Sequence, residues 1–141
     1  MKAKNYPYSG VTGSLQTAMG ATARNLEKVQ ATDVFMSPQM PEVYFRLNDK
    51  PFVIKIPIGV FMRLNGGDAK LAVRQGWSAL RDYVKGLVII AQCTMEDGEA
   101  WRAMIQHLLA ADGQTTAAEL ILRGLETGRL QLASGTRGDE E

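Results

Sequence analysis

Apolar and polar positions alternate most sharply between residues 43 and 56. Val43, Phe45 and Leu47 share one face of a first run, and Phe52, Ile54 and Ile56 share one face of a second. Period two predicts two strands with a buried face and a wet face. The wet face carries Tyr44, Arg46 and Lys55. Asn48, Asp49 and Lys50 supply the turn, because Asn and Asp tolerate positive φ. Pro51 then stands at the start of the second strand. A lone hairpin is marginal, so the β-type run TDVFM, 32–36, is expected as a third strand with helices covering the sheet. Pro38 and Pro41 end that run, since they cannot donate ladder hydrogen bonds.

Helical spacing takes over on both sides. Ser14 can N-cap a helix to about Gln30, whose Leu15, Met19, Ala23, Leu26 and Val29 fall within an arc of about 120°. Gly20 weakens its middle by about 1 kcal/mol relative to alanine, so packing must hold it. After the loop Asn65, Gly66 and Gly67, Asp68 can cap a helix over 69–85. With Lys70 at zero on a 100° wheel, Val73, Trp77, Leu80 and Val84 occupy roughly 280–340°, the core stripe, with Gly76 off it. Lys70, Arg74, Arg81 and Lys85 occupy roughly 0–60° on the same wheel, a basic ridge beside that stripe.

The run LVIIAQCTM, 87–95, fits a continued helix or a buried strand. Leu87, Val88 and Ala91 continue the earlier stripe, which favours helix across Gly86. Asp97 is expected to cap a further helix, in which Trp101, Met104, Ile105, Leu108 and Leu109 recur at helical spacing. Thr116 and Glu119 form a capping-box pattern for a last helix through Leu120, Ile121 and Leu125, stopping near Gly128. The fold class is therefore α+β: a small antiparallel sheet packed by helices, then a helical C-terminal half. Residues 1–13 read as an extended arm, 14–133 as one domain with a helix–strand–hairpin–helix core over 14–86, and 134–141 as a disordered polar tail.

Charge changes the picture more than composition does. The apolar share of 45% is ordinary for a globular chain, so a core is expected without staples. The net charge of +1 hides a gradient: residues 1–85 hold 12 Lys and Arg against 6 Asp and Glu, and residues 86–141 hold 4 against 9. Acidic partners meet the first part, and a head-to-tail self-contact is the electrostatic alternative. The single cysteine, the N-terminus without an apolar signal region, and the short apolar runs lead to an expectation of a cytoplasmic protein with no membrane partner.

Candidate chemistry is thin. Cys93 and His107 are the only possible Cys–His pair, and both lie in or beside apolar helical runs without a third orienting group. Structural roles are expected for both. Zinc-ligand spacing is missing, so no metal or cofactor is expected. Glu96, Asp97 and Glu99 are read as dipole-matched helix-start residues, with weak cation binding as the alternative. YSGVTGS and LNGGDAK lack phosphate-loop spacing. No catalytic residue is expected. Binding remains: Tyr44, Arg46 and Lys55 with the ridge Lys70, Arg74, Arg81 and Lys85 suit a phosphate backbone and a stacked base. Met36, Met40 and Met62, with the strand 32–36 or the hairpin edge, suit a protein partner.

The pieces LEKVQATDVFMS (26–37), VYFRLNDKPFVI (43–54) and the helix from Asp68 resemble small, largely uncharacterised phage and bacterial mobile-element proteins, some with a C-terminal J-domain. The resemblance covers residues 14–86. This chain has a shorter loop before the hairpin, IGVFMRLNGG in place of an acidic, tyrosine-containing turn, and no HPD tripeptide. The resemblance implies a mobile-element setting and no chemistry. The expected function is a non-enzymatic phage or mobile-element binding protein acting on nucleic acid or a nucleic-acid-associated complex. The alternative is a protein-interaction module that inhibits a host defence complex, such as a CRISPR or restriction complex, by direct binding. A small-molecule or cation binder is a third, weaker option.

Overall fold

A computed structural model describes residues 5–133. The expectations for residues 1–4 and 134–141 lie outside the described residues. The chain is α+β. Its elements are α1 (Leu15–Glu27), β1 (Thr32–Ser37), β2 (Glu42–Leu47), β3 (Lys50–Lys55), α2 (Gly59–Leu64), α3 (Ala69–Thr94), a 3-10 helix (Ala100–His107) and α4 (Ala117–Glu126).

The three strands form an antiparallel sheet in the order β1-β2-β3. The turn forms as its residues require. Asn48 and Asp49 sit at φ +52° and +65°, the pair of left-handed residues that matches strand twist. Pro51 is the second residue of β3, opposite Arg46. In β1, Asp33 adopts φ +51° and the register slips between Thr32 and Phe35, a bulge that twists this outer strand.

The inner face of the sheet, Val43, Phe45, Leu47, Phe52 and Ile54, packs against Leu26 of α1 and against Trp77, Leu80, Val84, Leu87 and Val88 of α3. Phe45 and Phe52 stack across the strands with centroids 5.4 Å apart. Trp77 is fully buried and its indole N–H donates to the Ser37 carbonyl at 3.2 Å, tying α3 to β1. In α1 the buried stripe is Ala18, Thr22, Asn25 and Leu26, with Leu15 and Met19 at its edge. The buried Thr22 hydroxyl is satisfied by the Ala18 carbonyl. Both helix starts are capped as expected: Ser14 accepts from the Thr17 amide and Asp68 from the Leu71 amide.

α3 runs through Gly86 without a break, so 87–94 is helix and the element spans about 39 Å. Gly76 is not idle. A Cβ there would lie 2.5 Å from Pro41 Cγ and 3.2 Å from Ile58 Cγ2. The Pro41 ring is stiff and buried, so the clash outweighs the roughly 1 kcal/mol that alanine adds to a helix. Gly76→Ala is expected to destabilise the fold by about 1–2 kcal/mol, read from the urea midpoint of unfolding.

Four expectations are corrected. Residues 5–13 are not extended. They turn twice, with Ser9 N–H donating to Tyr6 and Val11 N–H to Tyr8, and they lie on α3 through Gln75 and Arg74. The helix expected from Asp97 is a 3-10 helix, Ala100–His107, with no side-chain cap and a kink at Met104. Gly98 at φ +82° breaks the start, only Met104 is buried, and Ile105 is half exposed. Leu108 and Leu109 leave the helix because the free edge of β3 offers their backbone a partner. Leu108 bridges Phe52, and the Leu109 amide donates to Pro51 at 2.9 Å. That pairing also occupies the hairpin edge proposed for a partner strand. The outer face of the sheet is not simply wet either, since Val53 is buried beneath the segment that includes Leu109 and Thr115. The last helix forms as expected, with the capping box complete and Gly128 at φ +78° beyond its end.

Candidate nucleic-acid interface

The basic residues singled out in the sequence do not make one surface. Tyr44 and Lys55 point away from the sheet face that α3 covers. They line a cleft of about 460 Å³ with Val53, Leu109, Thr115, Glu119 and Arg123. Tyr44 also meets the exposed ring of Phe35, with centroids 6.4 Å apart. Arg46 is an exposed turn clamp: its guanidinium donates to the Asp49 carbonyl at 2.6 Å. The ridge lies beyond the core, on the helical side.

The ridge itself divides. Lys70 borders a shallow apolar groove with Leu15, Pro38 and Val73. Arg74 is drawn under the N-terminal segment, donating to the Val11 carbonyl at 3.1 Å, while its Nε is buried without a protein partner. Arg81 and Lys85 do face a cleft, and there they acquire partners the sequence pattern did not single out. α1 and α3 run side by side in the same direction: Leu15 lies beside 69–74 and Lys28 beside Lys85. This pairing sets Arg24 of α1 and Lys28, the residue that caps its C-terminal end, opposite Arg81 and Lys85 of α3, around a cleft of about 520 Å³. Arg24 and Lys28 are one helical turn apart, so both point the same way once α1 buries its apolar stripe. Nothing in the α1 sequence alone says which neighbour they face.

One carboxylate tempers the four cations. Asp82 accepts from Arg81 Nε at 3.0 Å and from the Tyr8 hydroxyl at 2.7 Å. Partial burial pushes its carboxyl up, but the bonds from Arg81 and Tyr8, with the charges of Arg81 and Lys85, outweigh this and hold it below its ordinary value. Burial, reinforced by the Asp82 carboxylate, pushes the Tyr8 phenol up to about 12. At neutral pH the cleft therefore holds four cations and one anion.

Neither Cys93 nor His107 forms a nucleophile site. Cys93 is exposed near the end of α3, not buried. His107 packs edge-on to Tyr83, and its Nε2 lies 2.6 Å from the Tyr83 hydroxyl. Gln106 also donates to that hydroxyl oxygen, and in the neutral tautomer with Nε2 unprotonated the Tyr83 hydroxyl donates to His107. Burial lowers the His107 pKa below 6.5. The folded state thus disfavours the imidazolium. Its contribution to stability is whole above pH 6.5 and is lost as pH falls through that value towards the folded pKa. His107 is the only histidine, so the melting temperature is expected to fall between pH 7.5 and 5.5, and His107→Gln is expected to flatten that fall. Among the described residues no three His, Cys, Asp or Glu side chains converge to hold a metal ion, and no helix is long and apolar enough to cross a membrane. Compared with protein-family models, the curated proteins and the solved structures, the chain matches none of them.

Proposed function

We propose that this chain is a non-enzymatic binding protein that grips a nucleic-acid backbone in the cleft between α1 and α3. The observation that supports this reading is the facing of Arg24 and Lys28 by Arg81 and Lys85 around one open cleft. Two parallel rows of cations suit a chain of phosphates better than a single anion. The likeness of residues 14–86 to mobile-element proteins suggests a phage or mobile-element setting.

Titration of labelled single- and double-stranded DNA and RNA with the full chain tests the reading. A site that neutralises four phosphates of duplex DNA has a log–log salt slope of about −3.6, and so loses on the order of 100-fold between about 50 and 200 mM salt. Failure to bind any of the four nucleic acids at the lower salt refutes the proposal.

A second reading rests on a different observation. β1 is paired on one side only, and Phe35 on it is 65% exposed. An edge strand with one free side and a protruding aromatic residue suits addition of a partner strand, as in direct inhibition of a host defence complex. That reading gains if no nucleic acid binds and a host lysate yields one stoichiometric partner protein.

A further inference from the structure

The first turns of α1 and α3 lie side by side, and a groove of about 440 Å³ opens where they meet the turn after β1. Leu15, Pro38 and Val73 wall it with aliphatic carbon, and the exposed Ala69, first residue of α3, stands at its rim. The clefts beside Lys28 and beside Glu119 are lined mainly by polar side chains, whereas this one is mainly apolar. Its volume falls within the range of small-ligand sites, roughly 300–1,000 Å³. An apolar cavity with a few polar groups at its edge is the usual form of such a site.

Charge says what the groove takes. Its charged edge is Lys70 and Arg74. Among the described residues neither cation pairs with a carboxylate, and the Arg74 guanidinium donates to the Val11 carbonyl alone. Asp68, the nearest acid along the chain, is turned to the Leu71 amide that it caps. Neither helix has an acidic residue in its first turn, so the positive ends of both helix dipoles add to the same field. Two cations without acidic partners beside an aliphatic groove fit a ligand with one anionic head and an apolar body. The walls hold no aromatic ring, so they suit a hydrocarbon chain rather than a stacked base.

We propose that this groove binds a small aliphatic carboxylate, with its head at Lys70 and Arg74 and its chain along Leu15, Pro38 and Val73. The proposal is independent of the nucleic-acid reading, because none of these residues lines the cleft around Arg24 and Arg81.

Calorimetric titration of the full chain with octanoate tests it, against 1-octanol, which has the chain without the charge, and acetate, which has the charge without the chain. Octanoate is expected to bind once per protein chain and about fivefold tighter than 1-octanol, the upper end of what an exposed ion pair contributes. Acetate is expected not to bind. Lys70→Glu is expected to remove the preference for octanoate and to leave 1-octanol binding unchanged. Ala69→Leu narrows the groove without altering charge, and is expected to weaken both. Both positions are exposed, so the melting curve by circular dichroism is expected to hold in each variant. Lys55→Glu, on the outer face of the sheet, is expected to bind octanoate as the wild type does. No binding of octanoate by the wild type overturns the proposal. So does equal affinity for octanoate and 1-octanol, or a preference for octanoate that survives Lys70→Glu. Octanoate binding untouched by Ala69→Leu overturns it as well, because the ligand then sits outside this groove.

Discussion

Reversing Arg24 and Arg81 together to glutamate is expected to remove nucleic-acid binding while leaving the fold intact. Each residue stands on a different helix of the same cleft, so the pair tests the cleft and not one helix face. At about 50 mM salt, counterion release makes each phosphate contact worth roughly tenfold, so the pair is expected to cost on the order of 100-fold or more. Arg24 is exposed, and Arg81 loses only a partly exposed ion pair with Asp82, worth at most about 1 kcal/mol. Arg74 is the wrong choice for this test, although it belongs to the same ridge in sequence. Its guanidinium holds the segment over α3, so reversing it disturbs the fold as well as the field. The matched control is Lys55→Glu with Arg123→Glu, which changes net charge equally in the cleft on the outer face of the sheet. That double variant is expected to bind as the wild type does, measured by fluorescence anisotropy in the same buffer.

Trp77→Ala is expected to cost about 3–5 kcal/mol, the largest loss from any single truncation in the core. Trp77 is the largest fully buried side chain, and it is also the only indole bonded to the sheet. Truncation leaves a cavity between α3 and the inner face of the sheet and an unsatisfied Ser37 carbonyl. A small domain holds only about 5–15 kcal/mol in total, so the variant is expected to be partly unfolded near its working temperature. Trp77→Phe keeps most of the volume and is expected to lose less than half as much. Urea denaturation followed by circular dichroism measures both. Equal losses for the two variants would show that the hydrogen bond, not the packing, is what holds α3 to β1.

The fold was legible where one face of an element is buried and its period is unambiguous. The hairpin, its left-handed Asn48–Asp49 turn, the third strand, the Ser14 and Asp68 caps and the Thr116–Glu119 capping box follow from local chemistry. Local chemistry also misled. The spacing of Trp101, Met104, Ile105, Leu108 and Leu109 satisfies a helix, but the open edge of β3 at Pro51 and Phe52, far earlier in the chain, captured Leu108 and Leu109. Competition from a distant backbone leaves no mark on periodicity. The candidate site shows the same limit. The ridge of α3 can be drawn on a wheel, yet α1 decides which of its cations face a cleft. Arg81 and Lys85 gained Arg24 and Lys28, Arg74 was drawn inward by the N-terminal segment, and Tyr44, Arg46 and Lys55 went to the other side of the sheet.

The salt dependence of binding, measured in single-charge variants, tests the cleft most directly. For duplex DNA the slope of log affinity against log salt is expected to become shallower by about 0.9 for each of Lys28→Ala and Lys85→Ala, because each removes one phosphate contact. Lys55→Ala, on the outer face of the sheet, is expected to leave the slope unchanged. A slope that holds in the α1 and α3 variants and shallows with Lys55→Ala would place the binding surface on the sheet and contradict the account.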